Sequence, residues 1–313
     1  MTGAPRTAPP GWVREVAAAV RGEAIPGAPL APRTSIRVGG PADLLVRPDD
    51  LAALPPLLAA CAARGVPVFF LGGGANLLVA DAGIRGVVLR MPADEGEEPA
   101  EGERLVLPAG APVSRLVQRA QAAGLVGCEF AAGIPGTLGG AVAMNAGTRV
   151  GEMKDVVEKV EVATADGLRW IPAAELGFAY RTCRLPPGAV VTRVGFRLRR
   201  GDVEASRAAM EADKEYRRRT QPLHLPTWGS TFRNPPGDHA GRLVEAVGLK
   251  GHRIGSAAWS ELHANFVVNL GGATARDCVA LIRLARERVR ERFGVELELE
   301  VRLAGAFGPG ETP

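Results

Sequence analysis

Two glycine-rich segments carry residue types that can bind a phosphate group. The first, residues 72–76, reads Gly-Gly-Gly-Ala-Asn and directly follows residues 66–71, an apolar run typical of a buried strand. Successive small residues at such a strand end can turn their backbone N–H groups into one concavity for a phosphate or pyrophosphate. Triple glycine is a weak motif, so a plain turn explains it equally well. A dinucleotide-binding βαβ unit is not indicated, because the next strand begins near Gly86, too soon for a crossover helix.

The second segment, residues 133–140, reads Gly-Ile-Pro-Gly-Thr-Leu-Gly-Gly. Pro135 fixes one backbone dihedral angle, the glycines permit positive φ and close approach, and Thr137 adds a hydroxyl group. Such a loop suits a large flat cofactor that carries a pyrophosphate. The alternative is a tightly packed irregular turn of the core, because close approach of a backbone does not require a ligand.

Three polar residues in apolar or glycine-rich surroundings are candidates for chemistry: Arg181, Ser230 and Glu300. Taken singly, each has an ordinary explanation, as a surface cation, a turn hydroxyl and the outward residue of a half-exposed strand. His263 precedes Ala-Asn-Phe and is similarly explained as a hydrogen-bonded scaffold residue. Their residue types alone therefore do not indicate a function, and a further signal that links these residues is needed.

Composition limits the class of protein. With 313 residues, 46% hydrophobic and 23% charged, the chain can build two or three domains, and wholesale disorder is excluded. A net charge of +4 with only 5% aromatic residues argues against a nucleic-acid partner. The four cysteines and four histidines are dispersed, so no metal site is expected. No stretch reaches transmembrane length and no signal peptide is recognisable, which predicts a reduced, cytoplasmic protein without a membrane partner.

The elements that must position these residues are mixed helices and strands. Ordered structure is expected to start near Thr34, after one short helix over residues 12–20. The clearest helix lies between a capping box at Thr274 and a stop at Gly294. Residues 94–104 are acidic and aperiodic, as in a linker or surface loop. Further strands are predicted at 43–47, 66–71, 86–91, 156–164 and 190–197, and further helices at 51–64, 112–123 and 203–219.

Seven segments taken together, in order, resemble the UDP-N-acetylenolpyruvoylglucosamine reductase family, in the subtype that lacks an extra substrate-covering loop. The resemblance implies an α+β fold, with a two-subdomain vanillyl-alcohol-oxidase-like FAD-binding region and a C-terminal α/β substrate-binding domain. The implied division is a flexible N-terminal segment (1–31), FAD-binding subdomains (32–91 and 92–201), a substrate-binding domain (202–305) and a tail (306–313). The segments are 34–40, 72–79, 131–147, 178–184, 229–255, 263–269 and 297–305.

The resemblance also implies the reaction. NADPH reduces noncovalently bound FAD, and the enolpyruvyl ether of UDP-N-acetylglucosamine enolpyruvate is then reduced to UDP-N-acetylmuramate for peptidoglycan synthesis. The chain is expected to act as a monomer. The alternatives are a flavin oxidase of the same fold and a catalytically silent module that binds nucleotide sugars.

Residue roles follow from the same resemblance. Arg181 would stabilise the negative charge that develops on the substrate, Ser230 would protonate C2, and Glu300 would stabilise or protonate the enolate, acting in its protonated form or through a hydrogen bond. Trp228 departs from the family pattern and is expected to narrow the pocket beside Ser230. The implied substrate contacts are Tyr180, Arg217 and Asn234. The implied FAD contacts are Thr34, Ser35, Gly72, Gly73, Gly74, Ala75, Asn76, Gly133, Ile134, Pro135, Gly136, Thr137, Gly139 and Gly140.

Overall fold

The structure is a computed structural model that describes residues 10–308 and Thr312. The first part of the chain forms a four-stranded sheet in the order β1-β2-β5-β3, in which β1 is antiparallel to β2 and the other pairs are parallel. Asp50 accepts a hydrogen bond from the Ala53 N–H at 2.7 Å before α2, as the sequence predicts. The elements are α1 (Gly11–Ala19), β1 (Gly22–Pro26), β2 (Ala42–Pro48), α2 (Leu54–Ala63), β3 (Val68–Phe70), β4 (Leu77–Val79) and β5 (Ile84–Leu89).

Ordered structure begins before Thr34, and the expectation of a flexible segment over residues 1–31 is wrong from Gly11 onward. Helix α1 occurs where it was predicted, and its Val13 and Val16 are buried in the same core cluster as α2. Strand β1 was missed because its short sequence, Gly-Glu-Ala-Ile-Pro, has the Pro and Glu of an exposed edge strand rather than a buried one. The first nine residues lie outside the described residues.

The second part is built on an antiparallel sheet in the order β11-β10-β12-β6. Helices α3 and α4 pack on it through Leu116, Leu138 and Val142, all of which are buried. Strand β11 was missed, although Asp166-Gly167 at its start is a hairpin-turn signal. The elements are β6 (Arg104–Pro108), α3 (Val113–Ala122), β7 (Leu125–Val126), α4 (Leu138–Ala143), β8 (Gly147–Thr148), β9 (Gly151–Glu152), β10 (Val157–Thr164), β11 (Gly167–Pro172), β12 (Val190–Arg197) and β13 (Arg199–Arg200).

The third part combines a four-stranded antiparallel sheet, in the order β14-β17-β16-β15, with a long helix packed on it. That helix, α7, has the predicted capping box at Thr274 and ends at Gly294 with φ of 67°. Its apolar stripe is buried together with Trp228 and Trp259. The elements are α5 (Val203–Thr220), β14 (Thr227–Ser230), α6 (Ala240–Ala246), β15 (Arg253–Ile254), β16 (Ala257–Trp259), β17 (Phe266–Asn269), α7 (Ala275–Phe293) and β18 (Arg302–Ala304).

The last strand connects the third part back to the first. Strand β18 pairs in parallel with β4, with Arg302 opposite Leu77. Just before this pair, the side-chain amide of Asn76 donates a hydrogen bond to the Glu300 carbonyl at 2.8 Å. The first glycine segment and the segment that carries Glu300 are therefore held side by side. Among the described residues, no helix is both long enough and apolar enough to cross a membrane.

Candidate active site

A cavity of about 770 Å³ lies where the three parts of the chain meet. All five residues of the first glycine segment and most of the second contribute to its wall. Arg181, Ser230 and Glu300 also line it, as does Arg217. The structure therefore brings together the two glycine segments and the three candidate catalytic residues, which are far apart in sequence.

The two glycine segments contact each other through their backbones. A Cβ atom on Gly73 would lie 2.5 Å from the Gly136 Cα, and one on Gly72 would lie 2.6 Å from the Thr137 Oγ1. Both glycines are therefore required for packing, as the core-turn interpretation expects. Gly140 differs, because a Cβ there would meet only the Thr137 Oγ1, at 3.4 Å.

The backbone N–H groups of residues 72–76 favour a ligand in addition to packing. Within the part of the chain that the structure describes, none of these five groups donates to a protein acceptor. Partly buried N–H groups without a partner are uncommon, and consecutive ones form a concavity that suits an anion. A cofactor with a pyrophosphate would supply the missing acceptors, so the donor set of this wall fits FAD.

Three of the residues expected at the FAD site, Thr34, Ser35 and Gly133, do not border the cavity. The buried Thr34 hydroxyl bonds to the carbonyl and the N–H of Val38, at 3.0 and 3.2 Å. The Ser35 N–H donates to the Gly74 carbonyl at 3.0 Å. Ser35 thus supports the first glycine segment from behind, and Thr34 packs beside it, because a Cβ atom on Gly74 would lie 2.8 Å from the Thr34 Cα.

Arg181 and Glu300 form an ion pair in the cavity wall, with 3.2 Å between Nε and Oε1. Arg181 has φ of 56°, and its Nη2 donates to the Gly147 carbonyl at 3.0 Å, so the guanidinium group is fixed from two sides. Burial raises the pKa of Glu300, and the positive charges of Arg181 and Arg233 oppose this rise. The net direction is upward, so the Glu300 carboxylate takes up a proton more readily than an exposed glutamate does.

Ser230 is placed in the cavity wall by an irregularity in its strand. The pairing of β14 with β17 shifts register between Thr227 and Ser230, and the intervening Gly229 has φ of 87°. Such a bulge redirects side chains next to it. Trp228 borders the cavity but is only 2% exposed, and its indole N–H donates to the Thr231 hydroxyl at 3.1 Å. Its bulk therefore lies in the core, and the expected narrowing of the pocket is not what the structure indicates.

The three predicted substrate contacts have different surroundings. Arg217 lines the cavity, its Nε donates to the Gln221 side chain at 3.2 Å, and burial lowers its pKa. Tyr180 is 49% exposed and stacks under the Arg181 guanidinium group at 5.2 Å, outside the cavity wall. The Asn234 side chain accepts a hydrogen bond from the Ala240 N–H at 3.1 Å, at the start of α6, and also lies outside the wall.

Asp213, which also lines the cavity, was missed by the sequence reasoning. It stands one helical turn before Arg217 on α5, and Gln221 follows one turn later. Residues spaced by four lie on one face of a helix. The spacing from Arg217 would therefore have pointed to Asp213.

Two protein families match parts of this chain. Residues 42–170 match a family described as "FAD binding domain", and residues 221–304 match one described as "UDP-N-acetylenolpyruvoylglucosamine reductase, C-terminal domain". A UDP-N-acetylenolpyruvoylglucosamine reductase of Anaeromyxobacter sp. (strain Fw109-5) is 70% identical, with 95% of this chain and 93% of that protein covered. The chain belongs to the UDP-N-acetylenolpyruvoylglucosamine reductase family.

More distant members agree over nearly the same length. The enzyme of that name from Myxococcus xanthus (strain DK1622) is 57% identical, with 90% of this chain and 92% of that protein covered. The crystal structure of the Thermus caldophilus reductase superimposes with a TM-score of 0.77 at 40% identity, covering 91% of this chain and 99% of that one. The predicted family is thereby confirmed, as is an α+β chain in which an FAD-binding domain precedes a C-terminal domain of the reductase family.

Proposed function

We propose that this chain reduces the enolpyruvyl ether of UDP-N-acetylglucosamine enolpyruvate to UDP-N-acetylmuramate, with FAD as cofactor and NADPH as reductant. The observation that carries the proposal is the Arg181–Glu300 ion pair at 3.2 Å, in the cavity that both glycine segments border. A cation and a buried acid at a flavin site suit the reduction of an ether conjugated to a carboxylate. The alternative of a silent binding module offers no use for this pair.

The two glycine segments would hold FAD, with the N–H groups of residues 72–76 donating to its pyrophosphate. When bound, FAD supplies two-electron chemistry, accepting hydride from NADPH and delivering it to the substrate. The two segments line the cavity mainly with backbone atoms and small side chains, so a large cofactor can approach this wall closely. Thr34 and Ser35 would keep the first segment in place.

Arg181 would stabilise the developing anion. Hydride addition at C3 of the enolpyruvyl group places negative charge on C2 and on the adjoining carboxylate, and a fixed guanidinium group lowers the free energy of that state. Tyr180 contributes by packing against Arg181. Glu300, with its pKa raised by burial, would donate a hydrogen bond to the same anion, because an ionised carboxylate would repel it.

Ser230 would deliver the proton to C2. Its hydroxyl group makes no hydrogen bond to protein within the described residues, so it is available to the substrate. General acid catalysis requires such a donor within hydrogen-bond reach of the carbon that is protonated. Arg217 would bind the diphosphate, whereas Asn234 lies outside the cavity wall and holds the start of α6. We further propose that the chain is monomeric and works in the cytoplasm.

The test separates the two half-reactions under anaerobic conditions. NADPH should bleach the flavin absorbance of the purified protein, and subsequent addition of the enolpyruvyl UDP-sugar should restore it. Reoxidation by oxygen but not by that substrate would favour an oxidase and overturn the proposal. A protein that binds no FAD when supplied with it would overturn it as well.

A further inference from the structure

The side chain of Asp213 is buried in the cavity wall, and within the described residues only one of its two carboxylate oxygens has a partner. Its carboxylate is only 10% exposed, and the Arg149 guanidinium approaches Oδ1 at 3.5 Å. Among the described residues, no group bonds to the buried Oδ2. A buried carboxylate oxygen without a donor is costly, so it is a place where a ligand donor is expected.

Surrounding groups restrict what that ligand can be. Arg149 lies above the ring of Tyr216, with 5.1 Å from Cζ to the ring centroid, and both residues line the cavity beside Asp213. Tyr216 is 46% exposed. An exposed aromatic ring, a cation and a hydrogen-bond acceptor together suit a nucleoside, which has a flat base and hydroxyl donors.

The positions of Asp213 and Arg217 along α5 place their side chains next to each other. Asp213 and Arg217 are four residues apart on one helix face, so their Cβ atoms lie about 6 Å from each other. Gln221, Thr227 and Ser230 line the same cavity. If Arg217 binds the diphosphate, Asp213 lies one helical turn from it, within reach of a group attached to that diphosphate.

We infer that the Asp213 carboxylate accepts hydrogen bonds from the ribose hydroxyl groups of the UDP moiety and thereby favours a ribonucleotide over a nucleotide that lacks those hydroxyl groups. This inference rests on the proposed function. Arg149 acts as a positioning residue that orients the carboxylate through Oδ1 and leaves Oδ2 for the ligand. Carboxylates are well suited to a ribose diol, because they are acceptor-only groups that can take two hydroxyl donors.

The test measures binding to the FAD-loaded protein by calorimetry, with UDP and with 2′,3′-dideoxy-UDP as probes. The wild-type protein should bind UDP roughly 10- to 100-fold more tightly than the dideoxy compound, as for hydrogen bonds to a charged group. Asp213→Ala should reduce this ratio to near one, and Asp213→Asn should give an intermediate ratio. Glu211→Gln, which removes an exposed acid from the same helix, should keep the wild-type ratio.

Three results would overturn the inference. They are a wild-type protein that binds both probes equally, an Asp213→Ala variant that keeps the wild-type ratio, and a variant that binds UDP normally but loses affinity for UDP-N-acetylglucosamine. The last would place Asp213 at the sugar. Thermal unfolding of each variant checks that it is folded, and Asp213→Asn preserves the side-chain shape should the alanine variant unfold. Failure of the wild-type protein to bind UDP at all would instead overturn the proposed function, and the inference with it.

Discussion

Replacing Gly140 by alanine should change the folding stability of the protein and its affinity for FAD in opposite directions. Gly140 lies within α4, and its φ is not in the positive region, so alanine can adopt its backbone conformation. Its added methyl group would meet the Thr137 Oγ1 at 3.4 Å and otherwise point into the space of the cavity. Gly136 is a poorer choice, because its φ of 105° would strain any other residue even without a ligand.

The size of each effect follows from these surroundings. Alanine in a helix is favoured over glycine by roughly 0.5 to 1 kcal/mol, so the apoprotein should gain up to that amount in free energy of unfolding. A methyl group forced against a tightly packed ligand costs about 1 to 3 kcal/mol, which corresponds to a roughly 5- to 150-fold weaker affinity for FAD. The two effects have opposite signs and are therefore separable.

Urea unfolding of the FAD-free protein and fluorescence titration with FAD measure the two quantities independently. Gly11→Ala is a matched control, because Gly11 is also helical, a Cβ there would meet nothing within 4 Å, and it does not border the cavity. The control should leave FAD affinity unchanged. If Gly140→Ala binds FAD as tightly as the wild-type protein does, the cofactor does not contact this part of the second glycine segment, and our assignment of the segment is wrong.

Three further predictions concern the substrate side of the cavity. Ser230→Ala should leave flavin reduction by NADPH fast but slow reoxidation by the enolpyruvyl substrate by about 10² to 10⁴, as for loss of a positioned acid; stopped-flow absorbance follows each step, and an unchanged reoxidation rate would exclude Ser230 as donor. Arg217→Ala should raise the substrate KM by the equivalent of roughly 1 to 3 kcal/mol and spare the NADPH half-reaction; an unaltered KM would remove Arg217 from the diphosphate. Burial raises the pKa of Glu300 above 4.5, so the folded protein retains a proton that the unfolded chain has lost, and stability should fall as pH rises from the unfolded pKa to the folded one. Glu300→Gln should abolish this contribution in urea unfolding measured across that interval, whereas an identical pH profile would contradict the direction of the pKa shift.

Local signals in the sequence were enough for most of the longer helices and strands, but not for most of the short strands or for α4 and α6. Helix α7 begins after Thr274 and ends before Gly294, because capping residues act on the nearest backbone groups. Asp50 caps the turn before α2 in the same way. Strand β1 has no such signal, because it depends on pairing with β2 rather than on its own composition. The proposed division at residues 91 and 201 stays a prediction.

The candidate site was predictable only in part. The two glycine segments were recognisable, but their contact at Gly73 and Gly136 depends on tertiary packing. The ion pair of Arg181 with Glu300 joins residues that are 119 positions apart in the sequence. No periodicity of the sequence reveals a pair with that separation. Asn234 was expected to contact the substrate directly, yet its side chain bonds to the start of α6. An amide beside a glycine-rich turn serves equally well as a helix cap and as a ligand contact, so its residue type did not decide between them.

The parallel pairing of β18 with β4 has a consequence for biosynthesis. Synthesis proceeds from the N-terminus, and early parts of a chain generally fold first. Leu77 leaves the ribosome more than two hundred residues before Arg302, the residue that it pairs with. During that interval the edge of β4 is without its partner strand, and Arg181 is without Glu300. A nascent chain that has already formed its FAD-binding part therefore lacks Glu300 until the ribosome reaches that residue, and enzymatic activity cannot begin before then.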